Sequence, residues 1–94
     1  IMLTENDSSF QQHNEAMLLK GICELAQGYA GKAKTAFAQV SAGSSWKDDA
    51  NWYEALAELK AGNSDKAKTL LQAIAQDKKH KQTQQAENIL DDLP

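Results

Sequence analysis

At 94 residues the chain has room for one small domain, and 41% hydrophobic with 24% charged residues places it among ordinary globular sequences rather than disordered ones. Its net charge is −3 and all ten basic residues are lysines; without arginine there is no bidentate fork for phosphates or guanine edges, which argues against a nucleic-acid partner. No apolar run reaches the roughly eighteen residues that a membrane span requires, no signal-peptide pattern is visible, and the single cysteine, Cys23, excludes an internal disulfide.

The opening Ile1-Met2-Leu3 fits either the tail of a preceding helix or a frayed terminus, and the chain is expected to be part of a longer protein. Ser9 with Gln12 makes a capping-box pattern. The helix that follows carries Leu18, Gly21, Ile22 and Leu25 at i, i+3, i+4 and i+7, and Gly28 closes it. A second helix repeats the spacing at Ala33, Ala36, Phe37 and Val40. Ser45 with Asp48 opens a third, where Asp48 and Asp49 suit the positive end of the helix dipole. Its stripe is Trp52, Ala55, Leu56 and Leu59, with Gly62 at its end. Asn63 or Ser64 caps a fourth, built on Ala67, Leu70, Leu71 and Ile74. Asp77-Lys-Lys-His-Lys81 reads as a solvated linker to a last helix with Ala86, Ile89, Leu90 and Leu93. Five segments with one apolar spacing and no strand signal predict an all-α fold.

The chain repeats itself. Leu18–Val40 slid forward by 34 residues falls on Trp52–Ile74 without a gap. Glu24, Leu25, Gly28 and Lys32-Ala-Lys-Thr35 meet identical residues at Glu58, Leu59, Gly62 and Lys66-Ala-Lys-Thr69. Upstream, Ser8-Ser9-Phe10 is echoed by Ser44-Ser45-Trp46 at a spacing of 36, so the loops differ by two residues while the helices keep their period. One amphipathic helix pair cannot bury its own apolar stripes, and stacking the next pair on it does. Small residues (Gly21, Ala55, Ala33, Ala67) mark the close approaches, while Trp52, Phe37 and Leu71 fill the space between. Divided this way, the chain has a tail over 1–10, one unit over 11–42, a second over 43–77, and a linker with a capping helix over 78–94.

A 34-residue helix–turn–helix period resembles the tetratricopeptide repeat. The turn glycines Gly28 and Gly62, then Ala33 with Phe37 and Ala67 with Leu71, fit that family's pattern. The stretch from Trp52 to Gly62 is especially similar to repeats of Bacteroides-type bacterial proteins, in which the array often follows a membrane anchor. The resemblance implies an α-solenoid that binds a protein or peptide partner on its helical surface. It has one departure: counted strictly from the turn glycine, the family's large positions hold Lys20, Glu24, Glu54 and Glu58. A register shifted by one residue buries no charge and is the one expected here.

In that register the concave face presents Leu19, Cys23, Ala26 and Gln27 from the first unit, and Tyr53, Ala57 and Lys60 from the second. Tyr53 and Lys60 are the anchor pair for a peptide; the plainer reading has Tyr53 and Leu19 packing between neighbouring units. Cys23 has no histidine near it and is expected to be a buried or half-buried structural residue. His13 and His80 lack metal-ligand spacing, adjacent aspartates diverge on a helix, and Gly28–Gly31 is a turn rather than a phosphate loop. No nucleophile, base and orienter assemble, so neither an enzyme nor a cofactor is expected. A structural spacer, or self-association through the N-terminal end, is the alternative to peptide binding.

Overall fold

A computed structural model describes residues 8–93, with side chains from residue 11 onward; the reading of Ile1-Met2-Leu3 lies outside the described residues. Among the described residues the predicted elements appear as five α-helices: α1 (Ser8–Ala26), α2 (Ala30–Ala38), α3 (Lys47–Lys60), α4 (Ser64–Gln76) and α5 (Thr83–Asp92). Each helix packs on the next in sequence, and α1 also packs on α3.

The two turns that follow α1 and α3 share one geometry. Gly28 and Gly62 adopt φ of +90° and +83°, the left-handed region that only glycine enters at no steric cost. Tyr29 N–H donates to the Glu24 carbonyl at 2.8 Å and Gly28 N–H to that of Leu25 at 3.0 Å. In the second turn Asn63 N–H donates to Glu58 at 2.8 Å and Gly62 N–H to Leu59 at 3.1 Å. These are the paired bonds of a Schellman motif, which satisfy the last carbonyls of each helix.

The helix starts correct the capping expectations. α1 is already under way at Ser9, inside the helix by one residue, and the side chains of residues 8–10 lie outside the described set. At α3 the N-cap position falls on Trp46, with no side-chain capping bond, so Ser45 does not cap it; Asp48 and Asp49 do sit in its first turn. Asn63 occupies the N-cap of α4 but makes no cap bond, because its amide turns back to the Glu58 carboxylate at 3.0 Å.

The core forms two apolar clusters, and α3 belongs to both. Leu18, Ala33, Phe37, Val40, Ala50 and Ala57 form the first, with Met17, Ile22, Leu25, Trp46 and Tyr53 packed against them. Ala55, Leu71, Ile74 and Ala86 form the second, with Trp52, Leu59, Leu70, Ile89, Leu90 and Leu93 around them. Phe37 and Leu71, the equivalent large residues of the two units, are both fully buried. Gly21 is buried where α1 meets Phe37; a methyl there would stand 2.6–2.8 Å from Cδ1 and Cζ of that ring and closer still to Cε1. Trp52, Leu56 and Leu59, expected as core residues, are half-buried, and the fully enclosed positions of α3 belong to Ala50, Ala55 and Ala57.

The expected register was chosen to bury no charge, and the fold corrects that. Glu58 is only 5% exposed. Lys34 of α2 reaches its Oε1 at 2.9 Å and the Asn63 amide reaches the same oxygen. Two donors supply the compensation that a buried carboxylate requires.

The segment between α4 and α5 is likewise not a solvated linker throughout. His80 is 5% exposed. Gln82 N–H donates to its Nδ1 at 3.0 Å, so that nitrogen is the acceptor and the ring proton sits on Nε2. Nε2–H then donates to the Asp48 carbonyl of α3 at 2.9 Å. Lys81 adds an ion pair to Asp49 at 2.8 Å, which holds the Lys81 ammonium above its usual pKa. The loop ahead of α5 is thereby fastened to the first turn of α3.

Candidate interaction surface

Which faces of the five helices remain available follows from the clusters. α1 contributes Met17, Leu18, Ile22 and Leu25 to the first cluster, and this one face is all it buries. On the opposite face Ala16, Leu19, Cys23 and Ala26 recur at i, i+3, i+7 and i+10 and are all exposed. At 100° per residue these four fall within one quadrant of the helix. Leu19 is 52% exposed, one of two exposed large hydrophobic residues among the described residues. Polar residues flank the strip: Glu15 on one side, Lys20 and Gln27 on the other.

The far end of the molecule differs. α5 turns Ala86 into the second cluster and exposes Gln84, Gln85, Glu87, Asn88, Asp91 and Asp92. It closes the core with a polar outer surface, and α1 does not.

The candidates for a concave groove separate accordingly. Leu19, Cys23, Ala26 and Gln27 lie exposed on the outer side of α1. Cys23 is thus exposed rather than structural. Ala57 is 0% exposed and lies in the first core cluster, so it offers nothing to a partner. The Tyr53 ring stacks on Phe37, with centroids 6.0 Å apart and planes at 22°, and packs against the same cluster. Lys60 is exposed in the last turn of α3. Tyr53 and Ala57 therefore serve packing between units, as the plainer reading had it for Tyr53. The anchor pair Tyr53 and Lys60 is divided between core and solvent.

Sequence reasoning missed Ala16, and the signal was within reach. A shift of 34 residues carries Ala16, Leu19 and Cys23 onto Ala50, Tyr53 and Ala57. Those three are the side of α3 that packs on the first unit. The same face is therefore covered in the second unit and bare in the first.

Three charged or polar positions are buried or partly buried near these surfaces. Glu24, the equivalent of Glu58, has a buried carboxylate oxygen, Oε1, with no hydrogen-bond partner among the described residues. Asn63 corresponds to Tyr29, which has no amide to offer, and Tyr29 instead lies beneath the Lys32 ammonium, 5.0 Å from the ring centre. Asn14 is fully buried and its Oδ1 accepts from Ser41 N–H at 2.7 Å. This ties the α2–α3 loop to α1, as His80 ties the α4–α5 loop to α3. His80 also lines an open cleft of about 270 Å3 with Asp48, Asn51 and Asp77, but both its ring nitrogens are engaged by the backbone. Among the described residues no group of three or more His, Cys, Asp or Glu is placed to hold a metal ion, and no helix is long and apolar enough to cross a membrane.

No protein-family model, no curated protein and no solved structure matches the chain.

Proposed function

We propose that this chain is a non-catalytic protein–protein interaction module of the tetratricopeptide type: two antiparallel helix pairs stacked as a short solenoid, closed at one end by α5 and engaging a protein partner at the other. The observation that carries the reading is the exposed strip Ala16, Leu19, Cys23 and Ala26, directly opposite the buried face of α1. Supporting it are the 34-residue period, the two turns with one glycine geometry, and the polar outer face of α5. An apolar strip at helical spacing with polar margins is the pattern by which helices recognise apolar helical surfaces. The binding is non-covalent and rests on burial of that strip.

The partner surface moves with this reading. Leu19, Cys23, Ala26 and Gln27 stay in it, Ala16 joins it, and Tyr53, Ala57 and Lys60 leave it.

The test compares the unaltered chain with Leu19→Asp and Lys60→Glu in affinity capture from a lysate of the source cells, followed by titration of the purified captured protein. Leu19→Asp is expected to weaken binding at least tenfold, and Lys60→Glu to leave it unchanged. Equal binding by the unaltered chain and Leu19→Asp would overturn the assignment of the surface. Sedimentation of the chain alone separates capture of a second copy from capture of a different protein.

A further inference from the structure

The α1 strip has a counterpart whose occupant is visible. In the second unit Ala50, Tyr53 and Ala57 hold the positions of Ala16, Leu19 and Cys23, and they share a cluster with Ala33 and Phe37 of α2 and with Val40 just past its end. The carboxylate of Glu58 is paired across the same junction with Lys34 of α2. Glu24 holds the equivalent position in the first unit, and its buried Oε1 has no donor among the described residues. The apolar strip and the orphaned carboxylate are independent observations, and both are met by one helix of α2's pattern.

Resting on the reading of α1 as the binding surface, we infer that its occupant is the second helix of a further unit of this same repeat, presenting Ala-Lys-x-x-Phe/Leu-x-x-Val/Ile. The alanine and the two large residues cover Ala16, Leu19 and Cys23, and the lysine ammonium supplies the donor that Glu24 lacks. The pattern is that of Ala33, Lys34, Phe37 and Val40, and again of Ala67, Lys68, Leu71 and Ile74. A second copy of this chain does not fit. Ala33, Phe37, Val40, Ala67, Leu71 and Ile74 are all 4% exposed or less within their own fold, so a folded copy has no such helix to offer.

The experiment inserts a copy of residues 14–47 between Lys47 and Asp48 of the full chain, which keeps the 34-residue period and seats the α1 strip of the copy on α2. With Cys23→Ser at the original position, the inserted cysteine is the only thiol. Its reaction with a maleimide is expected to be at least tenfold slower than that of Cys23 in the unmodified chain. Lys34→Ala in the helix ahead of the insertion is expected to restore at least a third of the lost reactivity. Protection that persists undiminished in Lys34→Ala would overturn the lysine-bearing occupant while leaving the apolar surface standing. A thiol that reacts as fast as Cys23 in the unmodified chain, whether or not circular dichroism shows the added helices, would overturn the occupant and the surface together.

Discussion

Residues that hold equivalent places in the two units live in different surroundings, and their chemistry follows the surroundings. Glu58 is held below the usual carboxylate pKa, first by the Asn63 amide and then by Lys34, against the opposing push of burial. A carboxylate with a lowered folded-state pKa contributes stability that is complete above its unfolded value, near 4.5, and that fades as pH falls through the folded value. Denaturation midpoints of the unaltered chain and Glu58→Gln should therefore differ by a constant amount above about pH 5.5 and converge in acid. A difference that grows below pH 4.5 would contradict the pairing. Gly21 is the second sharp position. Because its missing methyl is replaced by the enclosed Phe37 ring, Gly21→Ala should cost about 1–3 kcal/mol in urea unfolding. A neutral effect would mean that Phe37 can move aside. Gly21 was legible as a close approach, whereas the burial of Glu58 was not. A buried carboxylate is recognisable only with its donors in view, and Lys34 lies 24 residues upstream of it.

At the scale of the element, the five helices were legible because each repeats one apolar spacing at the helical period. Their starts were not. Side-chain caps expected from Ser45 and Asn63 are absent, while the helix ends are fixed by backbone bonds around two glycines, a signal the sequence does carry. α3 was read as having one apolar face and has two. Its second face is built on Ala50 and Ala57, and alanine contributes too little to a hydrophobic pattern to mark a buried side by itself. The α4–α5 loop hid His80 among four charged neighbours. With one ring nitrogen bonded to the backbone of α3 and the other to that of its own loop, His80→Leu leaves the Gln82 N–H unpaired, at a cost of about 1–3 kcal/mol. Amides of α5 should then exchange with solvent at least tenfold faster, while those of α1 and α2 keep their protection. Uniform loss of protection along the chain would show that the loop is part of the global core rather than a local fastening.

For the whole molecule, the difference between the two ends is what the proposed function rests on. α5 seals the second unit with glutamine, asparagine and acidic residues outward, whereas α1 leaves an apolar strip bare. In the proposed solenoid the same face recurs at every junction, so a face that is core in one unit and surface in another would mark its open end. The exposed side of α1 was legible in the sequence apart from Ala16: Leu19, Cys23, Ala26 and Gln27 were singled out, though for a groove shared with the second unit. Tyr53 and Ala57 were misplaced because a groove and an inter-unit contact draw on the same residue types, and only the stacking of α3 on the first unit separates them. The most direct measurement compares thiol reactivity at the two equivalent positions, Cys23 in the unaltered chain and the cysteine of an Ala57→Cys, Cys23→Ser variant. The account predicts that Cys23 reacts at nearly the rate of an unfolded thiol and that the thiol at position 57 is protected at least a hundredfold until the chain unfolds. Equal rates at the two positions would contradict it.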